Sequence, residues 1–140
     1  MSENEKISNN SLVEKTGAPK KKILIVEDEP HALETLQDRL EFEGYETITA
    51  GDGATALIKA KAEKPDLIIL DIMLPRMDGY KVCGFLKADT RYNKIPIIMF
   101  TVKAQESDKK LGEEMGAQAY LTKPFEPEKL LGEISELLGG

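Results

Sequence analysis

The feature that most constrains the fold is an alternation, from Lys20 onward, of short apolar runs with amphipathic stretches. This alternation is typical of βαβ units built around a parallel sheet. Three runs, ILIV, LIIL and the PIIMF segment, are apolar at consecutive positions, as expected when helices cover both faces of a strand. We therefore predict an α/β fold with an open, doubly wound parallel sheet, right-handed crossovers and helices on both faces.

Five segments are predicted strands, at 23–26, 45–50, 66–70, 95–100 and 117–121. The second alternates polar and apolar residues, which favours a position near an edge of the sheet. Of the helices between the strands, the first is predicted to end at Gly44 and the third to begin at a cap, Asp78. The second has an apolar stripe that starts with Ala54, Leu57 and Ile58, and it is predicted to end before Pro65. The fourth, AQESDKKLGEEM, has few apolar residues, so we expect it to pack weakly and to move most.

Length and composition limit the domain organisation. The 140 residues suit one domain, so no linked output domain is expected, and 41% hydrophobic residues suffice for one core. Residues 1–19 are rich in Ser, Asn and Glu, so we predict a disordered leader followed by a domain over 20–140.

Charge and cysteine content exclude several classes of protein. The net charge of -6 repels nucleic acid and anionic lipid, so neither nucleic acid nor a membrane is an expected direct partner. Cys83 is the single cysteine, which excludes an internal disulfide or a thiolate metal cluster, and its apolar surroundings predict a core position. Without a long apolar run, the expected location is the cytoplasm.

In a sheet of this kind, ligands bind outside the carboxyl ends of the strands. The first strand is followed by Glu27 and Asp28, the third by Asp71, the fourth by Thr101 and the fifth by Lys123. Each residue alone has an ordinary explanation, such as an acid near a helix start or a solvated lysine before a turn. Those explanations do not account for the joint position of these residues at four strand ends. We therefore predict that they form a functional site at the carboxyl ends of the strands, which we call the rim.

The rim carries three carboxylates and one lysine, a formal charge of -3 + 1 = -2. Such a cluster repels itself unless a cation lies within it, and oxygen ligands favour Mg²⁺. With the charge neutralised, Asp71 becomes a candidate nucleophile that forms an aspartyl phosphate. Thr101 and Lys123 would then bind the remaining phosphoryl oxygens, as phosphoryl transfer requires.

From about 21 to 138, the chain resembles the receiver domain of two-component response regulators. The motifs that carry the resemblance are KKILIVEDEP, LIILDIMLPRMDGY, IIMFT and AYLTKPF, together with spacings of 43, 30 and 22 residues between Asp28, Asp71, Thr101 and Lys123. The resemblance implies a five-stranded, flavodoxin-like sheet with strand order 2-1-3-4-5.

The resemblance also implies a mechanism. Asp71 would accept a phosphoryl group from a histidine kinase or phosphotransfer protein, and Lys123 would contact that group through a loop with a cis Lys123–Pro124 peptide. Mg²⁺ would be bound by Asp28, Asp71 and the backbone carbonyl of Met73, with Glu27 acting through a water molecule. The domain would assist its own phosphorylation and dephosphorylation without being an enzyme in the ordinary sense.

A switch is implied as well. Thr101 would move to the phosphoryl group and Tyr120 would turn inward, which would reshape the face formed by the fourth helix, fifth strand and fifth helix for a downstream protein. Whether phosphorylation also forms a homodimer stays open. Met73 and Lys103 occupy positions implied to tune the phosphoryl lifetime. Val102 stands where a smaller residue is usual, and we hypothesise that it slows phosphotransfer.

Four alternatives share some of these features. The first is a receiver fragment of a longer regulator. An aspartate-nucleophile phosphatase shares the acid, threonine and lysine set but needs a second acid at the position of Met73. A flavin or nucleotide carrier is disfavoured because the first turn, EDEPHA, lacks a glycine-rich loop. A degenerate receiver kept as a scaffold is disfavoured by the intact acid, threonine and lysine set.

Overall fold

The computed structural model describes residues 20–102 and 106–139, in which five strands alternate with five helices. The strands are β1 (Lys22–Val26), β2 (Glu46–Ala50), β3 (Leu67–Asp71), β4 (Ile97–Thr101) and β5 (Ala119–Thr122). The helices are α1 (Pro30–Phe42), α2 (Gly53–Glu63), α3 (Gly79–Ala88), α4 (Glu106–Glu114) and α5 (Pro127–Leu137). The predicted leader over 1–19 and the position of Lys103 lie outside the described residues.

The strands form one parallel sheet with the order β2-β1-β3-β4-β5, which confirms the predicted flavodoxin-like arrangement. The predicted edge position of β2 is also correct. Four strands begin one or two residues later than predicted, and β3, β4 and β5 extend one residue further. Asp71 and Thr101 are therefore the last residues of their strands, so the sheet itself fixes their backbone.

Two apolar clusters, one on each face of the sheet, make up the core. Alternate residues of β3 show the division: Ile68 and Leu70 face one cluster, whereas Leu67 and Ile69 face the other. Helices α2 and α3 complete the first cluster with Ala56, Ala60, Val82, Cys83 and Leu86, and helices α1 and α5 complete the second with Leu40, Leu130 and Ile134. This burial on both faces explains the uninterrupted apolar runs in the sequence.

The predicted helix boundaries are largely confirmed. Asp78 caps α3 by accepting a hydrogen bond from the Lys81 N–H at 3.0 Å, and Gly44, with φ 98°, follows the end of α1. One detail was wrong: Ile58, assigned to the buried stripe of α2, is 68% exposed. The helix buries the small residues Ala56 and Ala60 instead, which lets α2 lie close to the sheet.

Helix α4 contacts the sheet through a glycine. A methyl group at Gly112 would lie 3.1 Å from Cδ2 of Tyr120 and 3.3 Å from the sulfur of Met99, so the helix backbone is packed directly on β4 and β5. Leu111 beside it is 37% exposed. The expected weak packing and the expected mobility of this helix both stay predictions.

Candidate functional site

The carboxyl ends of the central strands bring the predicted residues together at one edge of the sheet. Glu27 follows β1, and Asp71 and Thr101 end β3 and β4; they are the buried polar residues among those described, with exposures of 1%, 4% and 0%. Asp28, beside Glu27, is exposed. The site is therefore a set of buried polar groups that opens to solvent at Asp28.

Three carboxylates at this edge are arranged as a candidate metal site. Glu27, Asp28 and Asp71 each offer an oxygen, and these oxygens all lie within 4.8 Å of one another. Hard, oxygen-only donors with one exposed member suit Mg²⁺, which keeps several of its waters. The backbone N–H of Met73, the other predicted contributor, donates a hydrogen bond to Oδ1 of Asp71 at 3.1 Å.

Lys123 reaches the carboxylates from the loop after β5. Its Nζ lies 2.7 Å from Oε1 of Glu27 and 3.4 Å from Oδ2 of Asp71, and the Lys123–Pro124 peptide is cis, as expected. Its backbone N–H donates to the carbonyl of Thr101 at 2.7 Å. Both the side chain and the backbone of Lys123 therefore bind residues of the site, and its ammonium offsets part of the negative charge of the carboxylates.

The ionisation of the site reflects burial and charge together. Burial raises the pKa of Asp71, and the charge of Glu27 adds to this, whereas Lys123 and the Met73 N–H lower it; the net pKa is raised. Burial lowers the pKa of Lys123, but the hydrogen bond to Glu27 and the charge of Asp71 outweigh that effect and raise it. The ammonium therefore stays charged, and the negative charge on Asp71 is held at a cost in free energy.

A glycine lets helix α3 begin directly beside Asp71. A methyl group at Gly79 would lie 2.4 Å from the carbonyl oxygen of Asp71 and 2.9 Å from the Cα of Ile72. The Gly79 N–H also donates to the carbonyl of Ile72 at 2.9 Å. The Asp-Gly pair after β3 therefore serves two purposes: Asp78 caps α3, and Gly79 permits the close approach of the helix to Asp71.

The two predicted switch residues lie in different surroundings. Thr101 is fully buried at the end of β4, while Tyr120 is half-buried on β5, packed against Gly112 of α4. Val102 is 69% exposed on the rim, and its predicted effect on phosphotransfer stays a prediction.

Two residues at the site, Phe100 and Glu29, were not anticipated from the sequence. The Nζ of Lys123 lies 4.7 Å from the ring centroid of Phe100, whose ring meets Phe125 edge-on at 6.0 Å. The carboxylate that caps α1 belongs to Glu29, and the Glu29 N–H donates to Oε2 of Glu27 at 3.0 Å. The Glu29 cap had a sequence signal, an acid directly before Pro30, whereas the Phe100 contact had none.

Within the described residues, no helix has the length and apolar character required to span a membrane. The sequence matches the family model for the response regulator receiver domain over residues 23–135. Among curated proteins, it is 49% identical over 118 residues to the alkaline phosphatase synthesis transcriptional regulatory protein PhoP of Bacillus subtilis, covering 84% of this chain and 48% of that protein.

A second relative is the DNA-binding response regulator MtrA of Mycolicibacterium smegmatis, 42% identical over 82% of this chain and 49% of its own length. The chain thus spans about half the length of these curated relatives. The solved structure of the chemotaxis protein CheY4 of Vibrio cholerae superposes with a TM-score of 0.80 at 34% identity, covering 86% of this chain and 100% of that one. By fold, rim and these similarities, the chain belongs to the response regulator receiver domain family of two-component signalling.

Proposed function

We propose that Asp71 is the phosphoryl acceptor of this receiver domain and that a partner histidine kinase or phosphotransfer protein is the donor. A carboxylate oxygen of Asp71 attacks the phosphorus of the donor phosphohistidine. The P–N bond breaks, its electron pair stays on the imidazole nitrogen, and an aspartyl phosphate forms. The observation that carries the proposal is that Asp71, a residue only 4% exposed, has its carboxylate near Lys123 and two further acids at the carboxyl ends of the strands.

The donor set fits Mg²⁺, which we propose is held by Asp28, Asp71 and the Met73 carbonyl, with Glu27 acting through water. When bound, the ion neutralises carboxylate charge and the charge of the incoming phosphoryl group. The coordination through Met73 rests on the family resemblance, whereas the carboxylate cluster rests on the arrangement of the three side chains.

The chain's own residues position the reaction. The Met73 N–H binds Oδ1 of Asp71, which leaves Oδ2, on the side of Lys123, as the oxygen nearest the ammonium. Lys123 binds a phosphoryl oxygen by exchanging part of its contact with Glu27, and the hydroxyl of Thr101 binds another. Burial of Asp71 and Thr101 keeps most water away from these two groups, so contacts to them act in a medium of lower dielectric constant than bulk water.

Output is proposed to pass through a protein-binding face. The aspartyl phosphate attracts Thr101, Tyr120 turns inward behind it, and the face formed by α4, β5 and α5 changes shape. The support for this is that Gly112 of α4 lies against the ring of Tyr120 on β5, so a movement of that ring would be transmitted to α4. The reader of that face is a downstream protein, and a second phosphorylated copy is an alternative reader.

The test is incubation of the protein with acetyl phosphate and Mg²⁺, followed by intact-mass measurement. We expect one added phosphoryl group that is stable in acid and labile in base. The label should be lost in Asp71→Asn and retained in Asp38→Asn, which alters an exposed acid on α1. A label that persists in Asp71→Asn, or a wild type that never becomes labelled, contradicts the proposal.

A second candidate is that this receiver forms part of a longer transcriptional regulator. It is favoured by two relatives named as a transcriptional regulatory protein and a DNA-binding response regulator, of which the chain covers 48% and 49%. Sequencing of the transcript tests this: a reading frame that continues into a basic helix-turn-helix segment supports it, and a stop codon after Gly140 contradicts it.

A further inference from the structure

We propose that Gly53, the first residue of α2, is a positioning residue for the phosphorylation site, because it makes room for the loop that follows Asp71. The inference deepens the proposed function and rests on it. Gly53 contacts this loop at Pro75 and Met77, so its effect on Asp71 would be indirect, through residues 72–78.

The first residues of this loop, next to Asp71, belong to the phosphorylation site. The N–H of Met73 donates to Oδ1 of Asp71 at 3.1 Å, so the position of the Met73 peptide orients the carboxylate. The far end is fixed by Gly79, where a methyl group would come within 2.4 Å of the Asp71 carbonyl oxygen. Because both ends of the loop are held, a displacement of its middle is expected to shift the neighbouring loop residues too, including the Met73 peptide.

The middle of the loop rests on the start of α2. The Gly53 N–H donates to the carbonyl of Pro75 at 3.3 Å. A methyl group at Gly53 would lie 1.8 Å from the carbonyl oxygen of Met77 and 2.7 Å from its carbonyl carbon. Because these are backbone atoms, no change of rotamer relieves the overlap.

Neither the start of α2 nor the loop at 72–78 can move freely to relieve this overlap. Asp52 fixes the start of α2 by accepting from the Thr55 N–H at 2.7 Å, and Ala56 and Ala60 bury the helix against the sheet. On the loop side, Arg76 has φ 71°, a left-handed conformation that a non-glycine residue adopts only when its neighbours hold it there. Its guanidinium lies 4.0 Å from Asp52. Displacement is therefore expected to travel along the loop to Met73.

The chain offers a matched control two residues away. A methyl group at Gly51 meets no described atom within 4 Å, and Gly51 lies in the same turn between β2 and α2. Gly51→Ala therefore adds the same methyl group without the collision. The comparison isolates contact with the loop from any general effect of alanine in this turn.

The test compares wild type, Gly53→Ala and Gly51→Ala in three measurements. In metal-free protein, the Met73 amide resonance should shift in Gly53→Ala and stay unchanged in Gly51→Ala. Titration calorimetry should show weaker Mg²⁺ binding in Gly53→Ala alone. The rate constant of labelling by saturating acetyl phosphate should fall roughly 10- to 100-fold in that variant, because sub-ångström to ångström displacements of a reacting group have effects of this size.

A wild type that is never labelled contradicts the proposed function, whereas a labelled wild type with Gly53→Ala equal to Gly51→Ala overturns this inference alone. If Gly53→Ala does not fold, Asp52→Ala decides, because it removes the cap that holds the first turn of α2, and with it Gly53, against the loop. A shifted Met73 amide and weakened Mg²⁺ binding in Asp52→Ala support the inference. Wild-type values for both overturn it.

Discussion

Asp71 shows how burial and charge compete at a single residue. The carboxylate accepts from the Met73 N–H and faces Lys123, yet burial and the nearby Glu27 leave its pKa raised. A fold that holds a carboxylate with a raised pKa gives up stability to do so. That stability should be recoverable when the charge is removed or when a cation binds.

We expect Asp71→Asn to be more stable than wild type at neutral pH without divalent cations. The pKa of Asp71 in the folded state lies above the unfolded value of about 3.9, so the folded protein holds this proton more tightly than the unfolded chain does. The stability that this group contributes therefore falls as the pH rises above about 4, and it stays lost at pH 7. Urea unfolding with chelator present measures the gain. It should shrink below about pH 4, where the wild-type carboxyl is protonated in both states.

Adding Mg²⁺ should reverse this order, since the ion binds the folded wild type and stabilises it by mass action. Asp38→Asn, at an exposed position, is the control and should match wild type throughout. Equal urea midpoints for Asp71→Asn and wild type at every pH would disprove the account of the carboxylate as destabilising.

Cys83 is expected to resist thiol reagents in the folded protein. Burial raises its pKa to about 11, with Lys87 opposing this only in part, and the side chain is fully buried. At pH 8, roughly one thiol in a thousand would be the reactive thiolate. Reaction with Ellman's reagent should be at least about 100-fold slower in native than in denatured protein, and comparable rates would contradict the core position.

At the scale of elements, helix ends were more predictable than helix faces. Gly44 and Pro65 mark ends through backbone chemistry that belongs to single residues, and α1 and α2 do end before them. Ile58 shows the limit: its hydrophobicity placed it in the core, but the spacing between α2 and the sheet admits alanine side chains there. That spacing is set by packing, which periodicity does not contain.

The end of α2 offers a stabilising substitution. Lys64 is exposed and has φ 48°, a conformation that costs a side chain with a Cβ about 1 kcal/mol or more. Lys64→Gly should raise the free energy of unfolding by about 0.5 kcal/mol after the entropy of glycine is subtracted. Ala62→Gly, two residues earlier and inside the helix, should lower the free energy of unfolding by about 1 kcal/mol. Urea denaturation of the pair measures both, and a loss in both variants would argue against the left-handed cap.

At the scale of the molecule, the loss of stability on substitution should depend on whether a side chain is buried in one of the two apolar clusters, and not on how hydrophobic the residue is. Ile69 is fully buried on the central strand β3, whereas Ile58 is 68% exposed on α2. Ile69→Ala should cost about 2–5 kcal/mol in free energy of unfolding, and Ile58→Ala less than about 0.5 kcal/mol. Similar losses for these matched substitutions in chemical denaturation would be inconsistent with the described core.

The sequence by itself determined the parallel sheet, the order of elements and the strand ends that carry Glu27, Asp28, Asp71, Thr101 and Lys123. It could do so because covered strands, capped helices and strand-end polar residues leave local patterns. Only the tertiary structure decided that Lys123 bridges Glu27 and Asp71, that Phe100 lies under its ammonium, and that Gly53 abuts the loop after Asp71. These contacts join residues far apart in the chain, and the distance between two such residues depends on how whole elements pack, not on the local order of amino acids.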